Sequence, residues 1–278
     1  MQFKIKEEEK EKSKFNKKIL LVILALIPVL RFLCINIIGG MTGVYAWNIS
    51  VFIFAPLAVI SILPQILVYI FRLYKRKDVK WNCLFLIVSL IIVYPLTIVL
   101  GNTTAYPKKQ SMKDAIEITM PMKDGIALGS EKLSSHAILP SECYAYDIVK
   151  EPYIIGSNNL NDYGVYLADV FSPVSGTIIG VENSQEDTHP NSEVIKSRMG
   201  NYVCIEVEGT GNYMILANLA KDSIPLKVGD TVKEGAYIGR VGNSGTSSAP
   251  HLHIQYQSNN PLKMIYSTFA EGLPIIIK

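Results

Sequence analysis

The chain has 278 residues, 49% of them apolar, and a formal net charge of +3, a length that admits one ordinary domain plus an appendage. The charge is divided unevenly, because residues 101–278 hold 14 basic and 19 acidic side chains, a net of −5. The overall positive balance is therefore no argument for nucleic-acid binding, which calls for a basic patch on the soluble part, and no nucleic-acid partner is expected.

Residues 1–18 carry seven lysines against four glutamates and read as a solvated, charged tail. Residues 19–100 hold three apolar runs: Ile19–Ile38, interrupted by Arg31 and Asn36; Trp47–Phe71, with Pro56, Pro64 and Gln65 inside it; and Cys83–Leu100. Each is long enough to cross a hydrocarbon core of roughly 30 Å as a helix, so three transmembrane helices are expected at about 19–38, 47–71 and 83–100. The first is too long for the apolar core of a cleaved signal peptide, and no small-residue cleavage site follows it. Arg31 is costly in such a run and is expected to snorkel or to face a neighbouring helix. Loop 39–46 is uncharged and loop 72–80 has a net charge of +4. Together with the lysine-rich tail, this places the tail and the second loop in the cytoplasm and everything after Leu100 outside the cell membrane.

Residues 101–131 are polar and mixed, with Pro107, Lys108 and Lys109, and read as a stalk or irregular lead-in. Residues 132–278 then show short strands broken by turn residues, without helical periodicity. The expected strands are Tyr144–Val149, Asp169–Phe171, Thr177–Glu182, Asn201–Val207, Tyr213–Leu219, Tyr237–Val241, His251–Gln255 and Ile275–Ile277. Many short strands with glycine-rich turns predict an all-β domain, an antiparallel sheet sandwich or barrel-like structure. Glu182–Gly200 is polar, contains Pro190 and reads as a flexible surface loop. Cys143 and Cys204 fall in this outer part, where a disulfide is permitted, and no CxxC spacing points to a sulfur-ligated zinc.

Val228 to Gly239 forms a hairpin-like unit, with turns from Gly229, Asp230 and Gly235 and strands from Val, Ile and Tyr. Lipoyl and biotinyl carrier domains contain a similar unit, but no Met-Lys-Met turn is present to carry the prosthetic group. The unit leads to Pro250-His251-Leu252-His253. Side chains at i and i+2 of a strand point to one face, so both imidazoles can enter one site, a pattern that suits a metal ligand beside a second base or ligand. The chain has four histidines, His136, His189, His251 and His253. A catalytic zinc needs about three protein ligands and an open position, so the remaining donors must come from earlier in the chain. His189, in Thr188-His189-Pro190, reads as a solvated loop residue. Asp147 is alternatively a turn cap at a strand end, and His136 is alternatively a loop histidine whose place falls to His189 or Glu142.

These residues resemble the lysostaphin-type zinc metallopeptidases, which cut peptide cross-links in bacterial peptidoglycan. Three blocks carry the likeness. The first is His136 followed by Tyr144-Ala145-Tyr146-Asp147. The second is Gly200-Asn201-Tyr202-Val203 leading to Leu216-Ala217-Asn218-Leu219. The third runs from Val228-Gly229-Asp230 through Gly242-Asn243-Ser244-Gly245 to Pro250-His251-Leu252-His253. The likeness covers about residues 135–277 and none of the membrane segment. It implies the family's duplicated hybrid motif β fold, a small antiparallel structure with an open groove. It further implies His136, Asp147 and His253 as zinc ligands, His251 as the group that orients or deprotonates the attacking water, and peptidoglycan peptides as the substrate. Two departures stand out. The interval from His136 to Asp147 is wider than in the compact members, and Asn218 stands where the family has the histidine of a Tyr-Ala-His-Leu block. An amide can still donate a hydrogen bond to a developing oxyanion but cannot exchange a proton near neutral pH. Losing such a group costs roughly 10²–10⁴-fold in rate. The resemblance thus implies an intact metal site with a weakened or specialised catalytic apparatus.

Three functions compete at this point. The leading one is a membrane-anchored zinc endopeptidase facing the cell wall. The second is an inactive module that binds wall peptides or regulates another hydrolase, with Asn218 marking the loss of catalysis. The third is an accessory to sensing or transport that exploits the three spans with their Pro28, Pro56, Pro64 and Arg31.

Overall fold

The structure, a computed structural model, describes residues 2–100, 115–129, 136, 138–190, 192, 197–264 and 269–278. It divides into two compact units, Met1–Tyr106 and Pro107–Lys278.

The first unit is helical. Helix α1 (Gln2–Leu33) runs into a π-helical turn at Cys34–Ile38 and breaks at Gly39 and Gly40, whose φ angles are 71° and 55°. Helix α2 (Gly40–Ile49) passes through a second π turn, Ser50–Phe54, into α3 (Ala55–Tyr74). Pro56 sits in the first turn of α3, where its missing N–H would have had no intrahelical partner in any case. Helix α4 (Lys80–Val93) follows and ends in a 3-10 stretch, Tyr94–Leu100. Three helical stretches are long and apolar enough to cross a membrane: Glu11–Ile38, Gly40–Tyr74 and Lys80–Ile98. Each begins before the apolar run read in the sequence, because helical hydrogen bonding includes the residues that precede it, and the third ends at Ile98. Large apolar side chains point outward along them, with Ile60 at 71% and Leu63 at 64% exposure, an arrangement that suits a lipid surround and not water. The guanidinium of Arg31 lies 5.2 Å from the Trp47 ring centroid, so this cation does face a neighbouring helix, against an aromatic surface. Gln65 Nε2 donates to Ser61 Oγ and to Ser89 Oγ, both at 2.9 Å, which ties α3 to α4.

The second unit is built on strands β1 (Ile116–Ile118), β2 (Ile126–Leu128), β3 (Tyr146–Val149), β4 (Asp169–Phe171), β5 (Gly176–Glu182), β6 (Asn201–Val207), β7 (Tyr213–Leu219), β8 (Thr231–Val232), β9 (Tyr237–Arg240), β10 (Leu252–Gln257) and β11 (Ile275–Ile277). Seven of them form one antiparallel sheet in the order β2-β3-β10-β7-β6-β5-β8, while β4 pairs with β9 antiparallel and β1 pairs with β11 parallel. Alternation divides the large sheet into two faces. Ile148, Ile178, Val203, Ile205, Met214, Leu216, Leu252 and Ile254 point into the main core, which Val170 of β4 and Ile238 of β9 join. Burying each large aliphatic side chain contributes about 1.5–3 kcal/mol. The opposite face carries a smaller cluster, Cys204, Ile215 and Ala217, flanked by Tyr202 and Met199. The candidate site residues stand on this second face.

Two features depart from the pattern read in the sequence. Strands β1 and β2 lie inside the segment expected to be an irregular lead-in. Their partners are β11 and β3, distant in the chain, and three-residue strands leave no local periodicity to detect. Residues 101–114 and 130–131 of that lead-in lie outside the described residues. The described part of the Glu182–Gly200 loop is tied down: Gln185 N donates to Asn201 Oδ1 at 2.8 Å, and Asp187 Oδ1 accepts from Asn243 N at 2.7 Å. Residues 191 and 193–196 of the same loop also lie outside the described residues.

Candidate metal centre and catalytic cleft

Strand register assembles the site. His253 is directly opposite Asp147 on β3 and Ala217 on β7. Cross-strand neighbours on one face stand about 4.5–5.5 Å apart at Cβ, so the imidazole and the carboxylate meet without further adjustment, and the small Ala217 leaves the space above them open. His251, two residues earlier, points to the same face. His136 is brought in by the turn preceding β3.

The three imidazoles converge on one atom. Asp147 Oδ1 lies 3.0 Å from His253 Nδ1, 3.3 Å from His136 Nε2 and 3.5 Å from His251 Nε2. The His136 and His253 rings stand perpendicular with centroids 5.1 Å apart. Donor atoms of His136, Asp147 and His253 all lie within 4.8 Å of one another. His136 is 5% exposed, and its Nδ1 has no hydrogen-bond partner among the described residues. Burial opposes ionisation of Asp147, yet the charge and hydrogen bonds of the surrounding histidines outweigh it and hold the carboxyl well below the usual range. Burial likewise opposes protonation of His253, and the hydrogen bond and charge of Asp147 reverse that, so its pKa is raised.

His251 is oriented from behind. Its Nδ1 lies 2.8 Å from the Ala249 carbonyl oxygen and 3.2 Å from Ser247 Oγ. A carbonyl only accepts, so Nδ1 carries a proton, and Nε2 is the nitrogen that faces the cleft. The Ser247 hydroxyl is itself held by the Asn243 side chain and the Ala249 carbonyl, each at 2.7 Å.

Asn218 lines the same cleft but is strongly constrained. Between β6 and β7 the register slips, so that Asn201 faces Leu219 and Tyr202 faces Ala217, which leaves Asn218 as the extra residue of a bulge. Its φ is 60°, a left-handed conformation that asparagine tolerates better than most residues. Its Nδ2 donates to the Ser244 carbonyl at 2.8 Å, which engages one of the two amide protons.

The cleft has a volume of about 320 Å³ and includes Glu142 and Arg198 besides the histidines, Asp147 and Asn218. Glu142, weighed from the sequence as a substitute ligand, is paired instead with the Arg198 guanidinium. His189 is exposed and borders a separate hollow with Asn159, Asn161 and Tyr166. Cys143 and Cys204 are buried thiols that form no disulfide, and Cys143 Sγ donates to the Pro140 carbonyl at 3.3 Å. Burial pushes Cys143 well above the usual thiol range and Cys204 up to about 12. Sequence reasoning passed over Arg198, for which no local signal exists. It also passed over Gln255 and Gln257, although they continue the two-residue spacing of His251 and His253 along β10.

Comparison with known proteins gives a consistent picture for this unit. Residues 163–263 match the model of peptidase family M23, a range that contains Asn218, His251 and His253 but stops short of His136 and Asp147. The chain is 31% identical over 115 residues to glycyl-glycine endopeptidase ALE-1 of Staphylococcus capitis, covering 39% of this chain and 28% of that protein. It is 31% identical over 132 residues to lysostaphin of Staphylococcus simulans, covering 45% of this chain and 23% of that protein. The chain thus spans about a quarter of the length of the curated relatives it matches. Among solved structures, lysostaphin from Staphylococcus simulans aligns at 21% identity over 56% of this chain and 50% of that chain, with a TM-score of 0.35.

Proposed function

We propose that this protein, whose residues 163–263 match peptidase family M23 and whose C-terminal unit is similar to lysostaphin-type endopeptidases, is a membrane-anchored zinc endopeptidase that hydrolyses peptide cross-links of peptidoglycan outside the cell. The observation that carries this reading is the gathering of His136, Asp147 and His253 donor atoms within 4.8 Å, with His251 Nε2 beside them. Two imidazole nitrogens and one carboxylate oxygen are a zinc donor set that leaves a coordination position open. The crowding also points to a cation, since one carboxylate oxygen has two lone pairs to offer and faces three ring nitrogens. Bound zinc would act as a Lewis acid and bring the pKa of a coordinated water to about 7.

The chain's own residues supply the rest. His251 Nε2, turned toward the cleft by the bond from Nδ1 to Ala249, accepts a proton from the attacking water and passes it to the leaving amine. The second amide proton of Asn218 is available to the substrate carbonyl oxygen as negative charge develops there. Residues 19–100 hold the chain in the membrane, a reading supported by three apolar helices and by the positive charge of the tail and of loop 72–80.

The test uses the full-length protein in detergent on purified cell walls, with released peptides identified by mass spectrometry. New amino termini that vanish in His253→Ala and in Asp147→Ala are expected; equal release by His253→Ala would overturn the assignment. A second reading, an inactive wall-binding or hydrolase-regulating module, is favoured by one observation, the commitment of the Asn218 amide to Ser244. It predicts bound zinc and bound walls with no released peptide.

A further inference from the structure

Behind His253, on the side away from Asp147, a file of buried amides runs along one face of β10 and past its end. His253 Nε2 lies 3.4 Å from Gln255 Oε1, Gln255 Nε2 donates to Gln257 Oε1 at 2.6 Å, and Gln257 Nε2 donates to the Asn259 carbonyl oxygen at 2.6 Å. Gln257 is fully buried and Gln255 is 6% exposed. Buried amides are costly unless satisfied, and these two satisfy one another in a directed chain.

The direction of every bond in the file follows from its far end. The Asn259 carbonyl can only accept, so Gln257 must turn its NH2 toward it and leave Oε1 facing back along the strand. Gln255 must therefore present its own NH2 to Gln257, which leaves Gln255 Oε1 facing His253. An amide oxygen also only accepts, so the proton on His253 is held at Nε2, and Nδ1, 3.0 Å from Asp147 Oδ1, is the nitrogen left for a cation. Orientation of a metal-binding imidazole through its other nitrogen is a general device.

We propose that Gln255 and Gln257 are positioning residues that fix His253 as a metal ligand through Nδ1, with the backbone carbonyl of Asn259 setting the polarity of the relay. This inference rests on the metal site proposed above. Without the relay, the ring can rotate about its Cβ–Cγ bond and offer either nitrogen, and the metal loses one preorganised donor.

The test measures zinc affinity of the full-length protein in detergent and, after cadmium substitution, the metal coupling to each ring nitrogen of labelled histidine by NMR. In the wild type, coupling is expected at His253 Nδ1 with Nε2 protonated. Gln255→Leu is expected to weaken zinc binding about 10–100-fold and to split ligation between the two nitrogens. Gln257→Met, which touches neither metal nor histidine, is expected to weaken binding less by freeing Gln255 to turn over. Gln255→Glu keeps an acceptor oxygen beside Nε2 and is expected to retain Nδ1 ligation. Wild-type coupling at Nε2, or unchanged affinity and unchanged Nδ1 ligation in folded Gln255→Leu, would overturn the relay alone. Failure of the wild type to bind zinc at all would overturn the relay together with the metal site.

Discussion

His253 is the residue on which the site turns, and its protonation couples the site to pH. In the metal-free protein Asp147 raises the pKa of His253, while Asp147 itself is held ionised below the usual carboxylate range. A metal held at the proposed site would therefore have to displace a proton from His253 but not from Asp147. Below the raised pKa, zinc affinity is expected to fall about tenfold per pH unit, as for any single competing proton, and above it to level off; zinc titrations between about pH 5 and 9 check this. Asn218 gives a second expectation. Asn218→His restores a group able to exchange protons near neutral pH, so turnover on cell walls is expected to rise by about tenfold or more. The same change removes the hydrogen bond to the Ser244 carbonyl, so thermal stability is expected to drop by about 1 kcal/mol.

At the level of elements, the site depends on loops that cross in contact. A Cβ at Gly245 would lie 2.3 Å from Gly200 N, and Gly245 has a φ of 78°. The close approach carries Ser244 to its bonds with Asn201, Leu219 and Asn218. Gly245→Ala is expected to cost more than about 1 kcal/mol and to reduce activity beyond its effect on stability, read by thermal melts alongside peptide release. The strands of the large sheet that carry the site were legible because β6 and β7 are short, largely apolar runs bounded by turn residues and β10 opens on the histidine pair. Strands β1 and β2 were not, since they lie in a mixed polar segment without periodicity and exist through partners remote in sequence. Cys204 sits in the middle of β6 within the smaller apolar cluster. With its thiol pushed up to about 12, alkylation at about pH 8 is expected to require unfolding, which mass spectrometry of native and denatured samples would show.

For the whole molecule, the two units invite separate tests. If residues 19–100 only anchor, replacing them with an unrelated membrane anchor of the same topology is expected to leave wall hydrolysis within about twofold of the wild type; loss of activity with the β unit still folded would instead favour a signalling role for the spans. Zinc held at the proposed site would be linked to folding of the β unit by mass action, at about 2.7 kcal/mol when free metal stands at a hundred times its dissociation constant. Chelation is therefore expected to lower the melting transition of the β unit and leave the helical signal unchanged, measured by circular dichroism at two wavelengths.

Hydropathy and spacing by themselves determined the three apolar helices, the β character of the C-terminal half and the pairing of His251 with His253, because these depend on periods of a few residues within one element. They also marked Asp147 and His136 as candidates, but only through resemblance, with other donors still open. Which donors meet was decided by the tertiary structure. Asp147 reaches His253 because β3 and β10 pair in one particular register, and a slip of one residue would turn the carboxylate to the core face. The pairing of Glu142 with Arg198, the bulge that turns Asn218 into the cleft and the polarity of the Gln255–Gln257 file likewise depend on contacts between segments far apart in the chain, which no local pattern encodes.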